Sequence, residues 1–391
     1  MPRTNSTLNL PGFSIIKTSG THPVIATVRY KGKERCIYCR SSNLRKKDRF
    51  MRRVQHESLG LRQMILEFTG YKYHCRDCLR YFRQRFPGIL PYKRSTEALR
   101  HEVYTVHKRG MSQVDLSNQY KISASTVERW FQDYYKRKNQ ELLQRECPQV
   151  LGIDEHSFSR KAGYATTFCD LRKHKIFDVV KGKSAASLHE YLMSLSGREK
   201  VRIVCMDMSV TYRSIIRKYF PNAKIVADRF HVIRLLGHMF LKTCQTIDPE
   251  SKHKRGILSI LRKNPENLTE REQLLLESYL KKHPAIRAVY DFKQKLHKLL
   301  MVKRQTRKQA RMIIPKLLGS IEQLKSSGFT HMQTLGKTFD DWTEEIARMW
   351  RFTKNNGITE GFHRKMKLIQ RRAYGFKNFE NYRLRVRILC G

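Results

Sequence analysis

Val150-Leu151-Gly152-Ile153-Asp154, Val201-Arg202-Ile203-Val204-Cys205-Met206-Asp207 and Ala223-Lys224-Ile225-Val226-Ala227-Asp228 share one pattern, a short apolar run that ends in an acid. Runs of this length, rich in Val and Ile, predict buried strands. Between the first two, residues 164–171 and 176–180 read as two further strands, with Gly163 and Arg172-Lys173-His174-Lys175 at the turns. The first three strands then form an antiparallel meander. Residues 184–195 predict an amphipathic helix before the second acid-terminated run, and residues 212–219 a helix before the third. Hairpin-linked strands followed by alternating helices and strands give an open α/β sheet, and carboxylates at its strand ends project into one crevice.

Asp154 and Asp207 are expected on neighbouring strands, where they can share a metal. A third acid comes from Asn355-Asn356-Gly357-Ile358-Thr359-Glu360-Gly361, which opens a strongly basic helix. At helical spacing Glu360 shares a face with His363, Arg364, Lys367 and Arg371, and Arg372 follows. One carboxylate among cations is an ordinary ion pair, and one Asp after a strand is an ordinary helix cap. Three such acids in this strand order point instead to a catalytic metal site at Asp154, Asp207 and Glu360. Hard oxygen ligands suit Mg2+ or Mn2+, and a pair of such ions activates a water or 3′-hydroxyl and stabilises a leaving oxygen. Glu155 and Asp228 are the neighbouring alternatives. Arg364, Lys367, Arg371 and Arg372 are candidate DNA contacts. Between Asp228 and Glu360 the chain reads as an all-helical insertion with breaks at Pro249, Pro265, Pro284 and Pro315, a capped start at Thr269 with Glu272, and Trp342 and Trp350 in its core.

Upstream, Cys36-Ile37-Tyr38-Cys39 and Cys75-Arg76-Asp77-Cys78 are two knuckles that can supply four thiolates to one tetrahedral zinc. Four thiolates leave no open position, so this zinc is expected to be structural; His74 is the alternative ligand. Ile65-Leu66-Glu67-Phe68 and Tyr71-Lys72-Tyr73 predict strands in the interval. A helix is expected over residues 96–108, a second from a cap at Ser112, and a third after Lys121-Ile122-Ser123, with Val127, Trp130 and Phe131 inward. This order is that of a helix-turn-helix, with Ser125, Thr126 and Arg129 available to a major groove and Lys136 and Arg137 to phosphates.

Lysine and arginine total 79 against 34 acids in 391 residues, a net charge of +45. Such self-repulsion is explained by a polyanionic partner; ribosomal or membrane-surface binding would give the same sign, and the helix-turn-helix order favours double-stranded DNA. No apolar run approaches the roughly 18 residues of a membrane span, and Met1-Pro2-Arg3-Thr4-Asn5 has no signal-peptide core. The nine cysteines include five scattered among apolar neighbours, which reads as reduced thiols in a cytoplasm. The sequence divides into an N-terminal extension (1–30), a zinc-binding domain (31–90), a helix-turn-helix (95–140), a first catalytic part (148–235), the helical insertion (236–345) and a second catalytic part (346–391).

These motifs occur in a recognisable order. The cysteine pairs, the helix-turn-helix, Gly152-Ile153-Asp154-Glu155, Asp228-Arg229-Phe230-His231-Val232, Asn356-Gly357-x2-Glu360-Gly361 and Arg372-Ala373-Tyr374-Gly375-Phe376-Lys377-Asn378-Phe379 follow one another along the chain. In this the chain resembles bacterial insertion-sequence transposases of the ISL-three family over nearly its whole length. The resemblance implies a ribonuclease-H-like core, interrupted by the helical insertion, whose Asp-Asp-Glu triad maps onto Asp154, Asp207 and Glu360. It also implies Mg2+-dependent cleavage and strand transfer at the inverted repeats of a mobile element. Synapsis of two ends implies a homodimer or larger assembly. A non-catalytic DNA-binding regulator and a structure-selective nuclease are the other functions that share these modules.

Overall fold

The computed structural model describes residues 8–143, 145–159, 163–352 and 357–391, with the backbone alone for Leu143, Ser159 and residues 357–360. The chain forms two compact units, Met1–Lys138 and Asn139–Gly391.

In the first unit, strands β1 (Phe13–Ser19), β2 (Val24–Tyr30), β3 (Leu44–Leu59), β4 (Arg62–Cys75) and β5 (Tyr81–Arg83) make one sheet. Its order is β1-β2-β4-β3, with β5 also paired to β4. The apolar alternation of Val24, Ala26 and Val28, all buried, brings residues 13–30 into the same sheet as the second cysteine pair. The two strands expected at 65–68 and 71–73 are one. Gly70 carries the ladder through, and its missing side chain leaves room for the Phe50 ring, which a Cβ there would meet at 2.6 Å. Strand β3 was hidden in a basic run (Arg45, Lys46, Lys47, Arg49, Arg52, Arg53). It lies at the sheet edge, where cationic side chains stay in water and discourage pairing with other chains.

Three helices follow: α1 (Glu97–Lys108), α2 (Gln113–Tyr120) and α3 (Ala124–Leu143). Thr96 and Ser112 cap the first two, their hydroxyls accepting from Leu99 N and Asp115 N. Lys121, at φ 53°, turns the chain into α3. Val127, Trp130 and Phe131 are buried, as their helical spacing requires.

The second unit is built on β6 (Val150–Ser159), β7 (Gly163–Asp170), β8 (Lys175–Lys181), β9 (Ile203–Met206) and β10 (Lys224–Ala227), in the order β10-β9-β6-β7-β8. The first three strands are antiparallel neighbours, while β9 and β10 run parallel to β6. Helices α4 (Ala185–Ser194) and α5 (Val210–Tyr219) make the crossovers. Seven helices come next: α6 (Arg229–Ile247), α7 (Arg255–Arg262), α8 (Glu270–Lys282), α9 (Pro284–Met301), α10 (Arg307–Lys325), α11 (Thr330–Asp341) and α12 (Thr343–Arg348). Thr269 and Glu272 form the expected capping box, and Trp342 and Trp350 are core residues. Pro315 does not break its helix. It sits inside α10, where the surrounding turns keep the backbone helical despite one missing N–H donor.

Helices α13 (Gly357–Arg372) and α14 (Phe379–Cys390) return to the sheet. Leu151 and Ile153 of β6 face the core shared with α4, α5 and the long helical segment. The opposite face packs Ala165, Cys169 and Val179 against Met366, Ile369, Tyr382 and Val386 of α13 and α14. Asp178 of β8 pins α14, accepting from Nε and Nη2 of Arg383 at 2.8 Å each.

Candidate functional site

Asp154 sits where β6 loses one neighbour. Strand β6 does not stop at this acid, as the apolar run suggested, but continues to Ser159 because β7 still pairs with it. The parallel partner β9 ends instead, at Met206. Its ladder pairs Leu151 with Val204 and Gly152 with Cys205, so two residues further Asp154 stands level with Asp207. The ladder between β10 and β9 pairs Ala227 with Met206, which sets Asp228 level with Asp207 as well. Three acids therefore stand in a row along the ends of the parallel strands.

Asp154, Asp207 and His231 each offer a ligand atom, and these atoms all lie within 4.8 Å of one another. Asp154 is 8% exposed; its Oδ1 accepts from Glu155 N at 2.8 Å, and its Oδ2 lies 3.7 Å from His363 Nδ1. Burial, and then the charge of Asp207, pushes the Asp154 carboxyl up to about 7. The Oδ1 of Asp207 is buried and has no hydrogen-bond partner among the described residues. Its Oδ2 lies 3.7 Å from His231 Nδ1, and His231 Nε2 lies 3.6 Å from Asp228 Oδ2, so one imidazole bridges two acids. Asp228 is 2% exposed and caps α6 through Phe230 N at 3.4 Å. Arg229, beside it, donates from Nη2 to the carbonyls of Val302 at 2.9 Å and Met349 at 2.8 Å. Those two bonds fix the start of α6, and with it His231. Glu155 takes no part in this row: it alternates to the other face of β6 and pairs with Lys183 at 3.4 Å.

Residue 360 belongs to α13, but the side chain of Glu360 lies outside the described residues. One turn along the same helix His363 reaches Asp154, and its Nε2 lies 3.2 Å from Thr167 Oγ1. Behind it His156 is 6% exposed and bonded to Thr167 Oγ1 and Tyr382 Oη, both at 3.0 Å. Burial, then the neighbouring His363, lowers His156 to about 3, so it is a neutral strut. Arg364, Lys367, Arg371 and Arg372 are all exposed on α13. Sequence reasoning did not assign roles to His231 and His363. The i, i+3 spacings Asp228–His231 and Glu360–His363 at two helix starts were the available signals.

In the first unit the four cysteines come together. Their Sγ atoms all lie within 4.8 Å of one another, with Cys36–Cys78 and Cys39–Cys75 at 3.5 Å. Tetrahedral Zn–S bonds of about 2.3 Å require sulfur separations of about 3.8 Å, so the cluster fits zinc. Burial opposes ionisation of Cys36, but hydrogen bonds from the backbone of Cys39 and Tyr38 and from nearby thiols outweigh it, and its pKa falls to about 6. His74 lies against Tyr81, with ring centroids 4.5 Å apart and the planes tilted by 39°, and does not join the cluster.

On α3, Ser125 and Arg129 are exposed and Thr126 is half-buried. Arg129 Nη2 donates to Thr126 Oγ1 at 3.1 Å, and Ser123 Oγ donates to the same hydroxyl at 2.9 Å. Lys136 and Arg137 are exposed farther along the helix.

Three family models match the chain: a transposase model over residues 151–386, the helix-turn-helix domain of transposase family ISL3 over 84–135, and the zinc-finger of transposase IS204/IS1001/IS1096/IS1165 over 33–78. The chain is 24% identical over 249 residues to the transposase for insertion sequence element IS1001 of Bordetella parapertussis, covering 61% of this chain and 60% of that protein. It is 22% identical over 267 residues to the transposase for insertion sequence element IS1557 of Mycobacterium tuberculosis, covering 58% and 57%. The matched part thus spans less than two thirds of either relative. No helix among the described residues is long and apolar enough to cross a membrane.

Proposed function

The chain belongs to transposase family ISL3, and from that premise we propose that it cuts DNA at the terminal inverted repeats of an insertion sequence and transfers the cut strand to target DNA. The observation that carries this reading is the meeting of Asp154, Asp207 and His231 at the ends of parallel strands, beside a helix that exposes Arg364, Lys365, Lys367, Arg371 and Arg372. In this reading the second unit is a ribonuclease-H-like core. Its order of three antiparallel strands followed by two parallel ones supports that assignment.

Asp154, Asp207 and Glu360 form the catalytic set, and they would hold Mg2+ or Mn2+. The buried, unpartnered Oδ1 of Asp207 and the raised proton affinity of Asp154 both fit a carboxylate pair that a hard cation completes. When bound, the metal supplies Lewis acidity toward the attacking water or 3′-hydroxyl and the leaving oxygen. The chain's own residues do the rest. His231 orients Asp207 and Asp228, and His363 faces Asp154 from α13. Arg364, Lys367, Arg371 and Arg372 hold backbone phosphates at the mouth of the site. The helix-turn-helix reads the element ends with Ser125, Thr126 and Arg129 and grips phosphates with Lys136 and Arg137, while zinc on Cys36, Cys39, Cys75 and Cys78 stabilises the first unit. Two ends are paired by a dimer or larger assembly.

The test is cleavage of labelled duplexes carrying the inverted repeats that bracket the gene, in the presence of Mg2+. Asp154→Ala and Glu360→Ala are expected to abolish cutting while mobility-shift affinity for the same duplex stays within about threefold. Cutting at the wild-type rate in both variants would remove these residues from the chemistry.

A further inference from the structure

Lys293 of α9 is 4% exposed, and its Nζ has no hydrogen-bond partner among the described residues. An ammonium group without an acceptor is costly in a protein interior. The nearest rings, Phe240 and Tyr290, lie with centroids 5.6 and 5.8 Å away, which softens the cost but supplies no acceptor oxygen. Lys293 lines a cavity of about 320 Å³ between α6, α7 and α9. Every ionisable side chain that lines it is basic: Arg234 and His238 from α6, Arg262 from α7, Lys293 and His297 from α9. Burial lowers Lys293 to about 8, and burial followed by the charge of Lys293 lowers His297. Glu266 opposes that second shift, but it does not line the cavity.

Basic side chains from three helices line one otherwise largely apolar pocket, and the buried ammonium group among them has no counter-ion in the lining. They are arranged for an oxyanion. Guanidinium and ammonium donors arriving from several directions match a tetrahedral group with several acceptor oxygens better than a planar carboxylate with two. We propose that this cavity binds a phosphate group, supplied by the DNA backbone or by free phosphate. The site is separate from the row of acids, and the reading of those acids does not depend on it.

Two variants test it in the full-length protein. Lys293→Met removes the buried ammonium group. Gly237→Leu occludes the cavity instead: Gly237 lines it on α6, a Cβ there meets nothing within 4 Å, and leucine favours a helix over glycine. Calorimetric titration with inorganic phosphate, in phosphate-free buffer at fixed ionic strength, is expected to show one saturable site per chain in the wild type, weakened at least tenfold in both variants. Binding of a nonspecific duplex at the same salt then identifies the source. Parallel loss of duplex affinity in both variants assigns the pocket to backbone phosphate, and unchanged duplex affinity assigns it to free phosphate. Phosphate binding retained in Gly237→Leu, or wild-type protein that binds phosphate at no saturable site, overturns the proposal. If Lys293→Met does not fold, Gly237→Leu decides the matter alone.

Discussion

Replacing Asp178 with alanine should release α14 from the sheet while leaving the first unit untouched. Asp178 is 5% exposed on β8 and accepts from Nε and Nη2 of Arg383; Arg387 Nε lies 3.7 Å from its Oδ1. The hydrogen bond to Asp178 is the main reason the Arg383 pKa is raised. Removing one partner of a buried pair costs about 3–5 kcal/mol, because the opposite charge is left without compensation. Here the two guanidinium groups differ. The Arg383 side chain is 23% exposed and keeps its bond from Nη1 to Glu380 Oε2 at 3.3 Å, whereas that of Arg387 is only 7% exposed and has no such second acid among the described residues. The cost should therefore fall near the lower bound, about 3 kcal/mol. Native-state hydrogen exchange is the suitable assay, because a two-unit chain need not unfold in one step. Amides of α14 and β8 should lose protection by about a hundredfold, since each tenfold is about 1.4 kcal/mol. Amides of β4 should be unchanged. A loss below tenfold, or one spread equally into β4, would refute the claim that this ion pair holds the helix down.

Three further outcomes are expected. His56 is buried against Thr96 Oγ1 at 2.9 Å, and burial lowers its pKa from the ordinary 6.5 to about 4. The unfolded chain then binds a proton that the folded chain refuses, so the stability His56 contributes is whole above pH 6.5 and falls by about 3 kcal/mol as pH drops to 4. His56→Gln should flatten that part of the pH profile, and identical profiles by circular dichroism would contradict it. Cys75→Ser, or removal of zinc by a chelator, should cost the first unit its fold and its binding of element ends; unchanged affinity would deny zinc a structural role there. Arg129→Ala should lower discrimination between element-end and random duplex by about 1–3 kcal/mol with little change in the salt slope, whereas Lys136→Ala should reduce the slope and spare discrimination. Equal salt slopes and equal discrimination in both variants would refute this division of roles.

The parts legible in the sequence were those written in local patterns. Paired cysteines, capping residues at Ser112 and Thr269, and Val- and Ile-rich runs each declare an element within a few residues, and the structure has all of them. What was illegible depends on partners far along the chain. The basic run of β3 is a strand only because β4 pairs with it, and Pro315 stays helical because of its surroundings. His363 meets Asp154 across more than two hundred residues, a contact that no window of sequence contains.

That same distance dependence decides which acid stands beside Asp154. Local motif strength favours Asp228, which opens the Asp228-Arg229-Phe230-His231 run, over Asp207, which is flanked only by Met206 and Met208. Strand order reverses the preference. Strand β9 lies between β6 and β10, so Asp207 is the neighbour of Asp154, while Asp228 is one strand farther away. Electrostatics agrees, since the charge of Asp207 raises the Asp154 pKa more than that of Asp228 does. Hydrogen bonding agrees too: Asp228 spends an oxygen on capping α6, whereas Oδ1 of Asp207 is buried without a partner among the described residues. A cation drawn to Asp154 therefore gains most from Asp207, with Asp228 acting through His231. Asp207→Asn should accordingly weaken Mn2+ binding, read by paramagnetic relaxation of water protons, more than Asp228→Asn does. The opposite ranking would transfer the second ligand to Asp228.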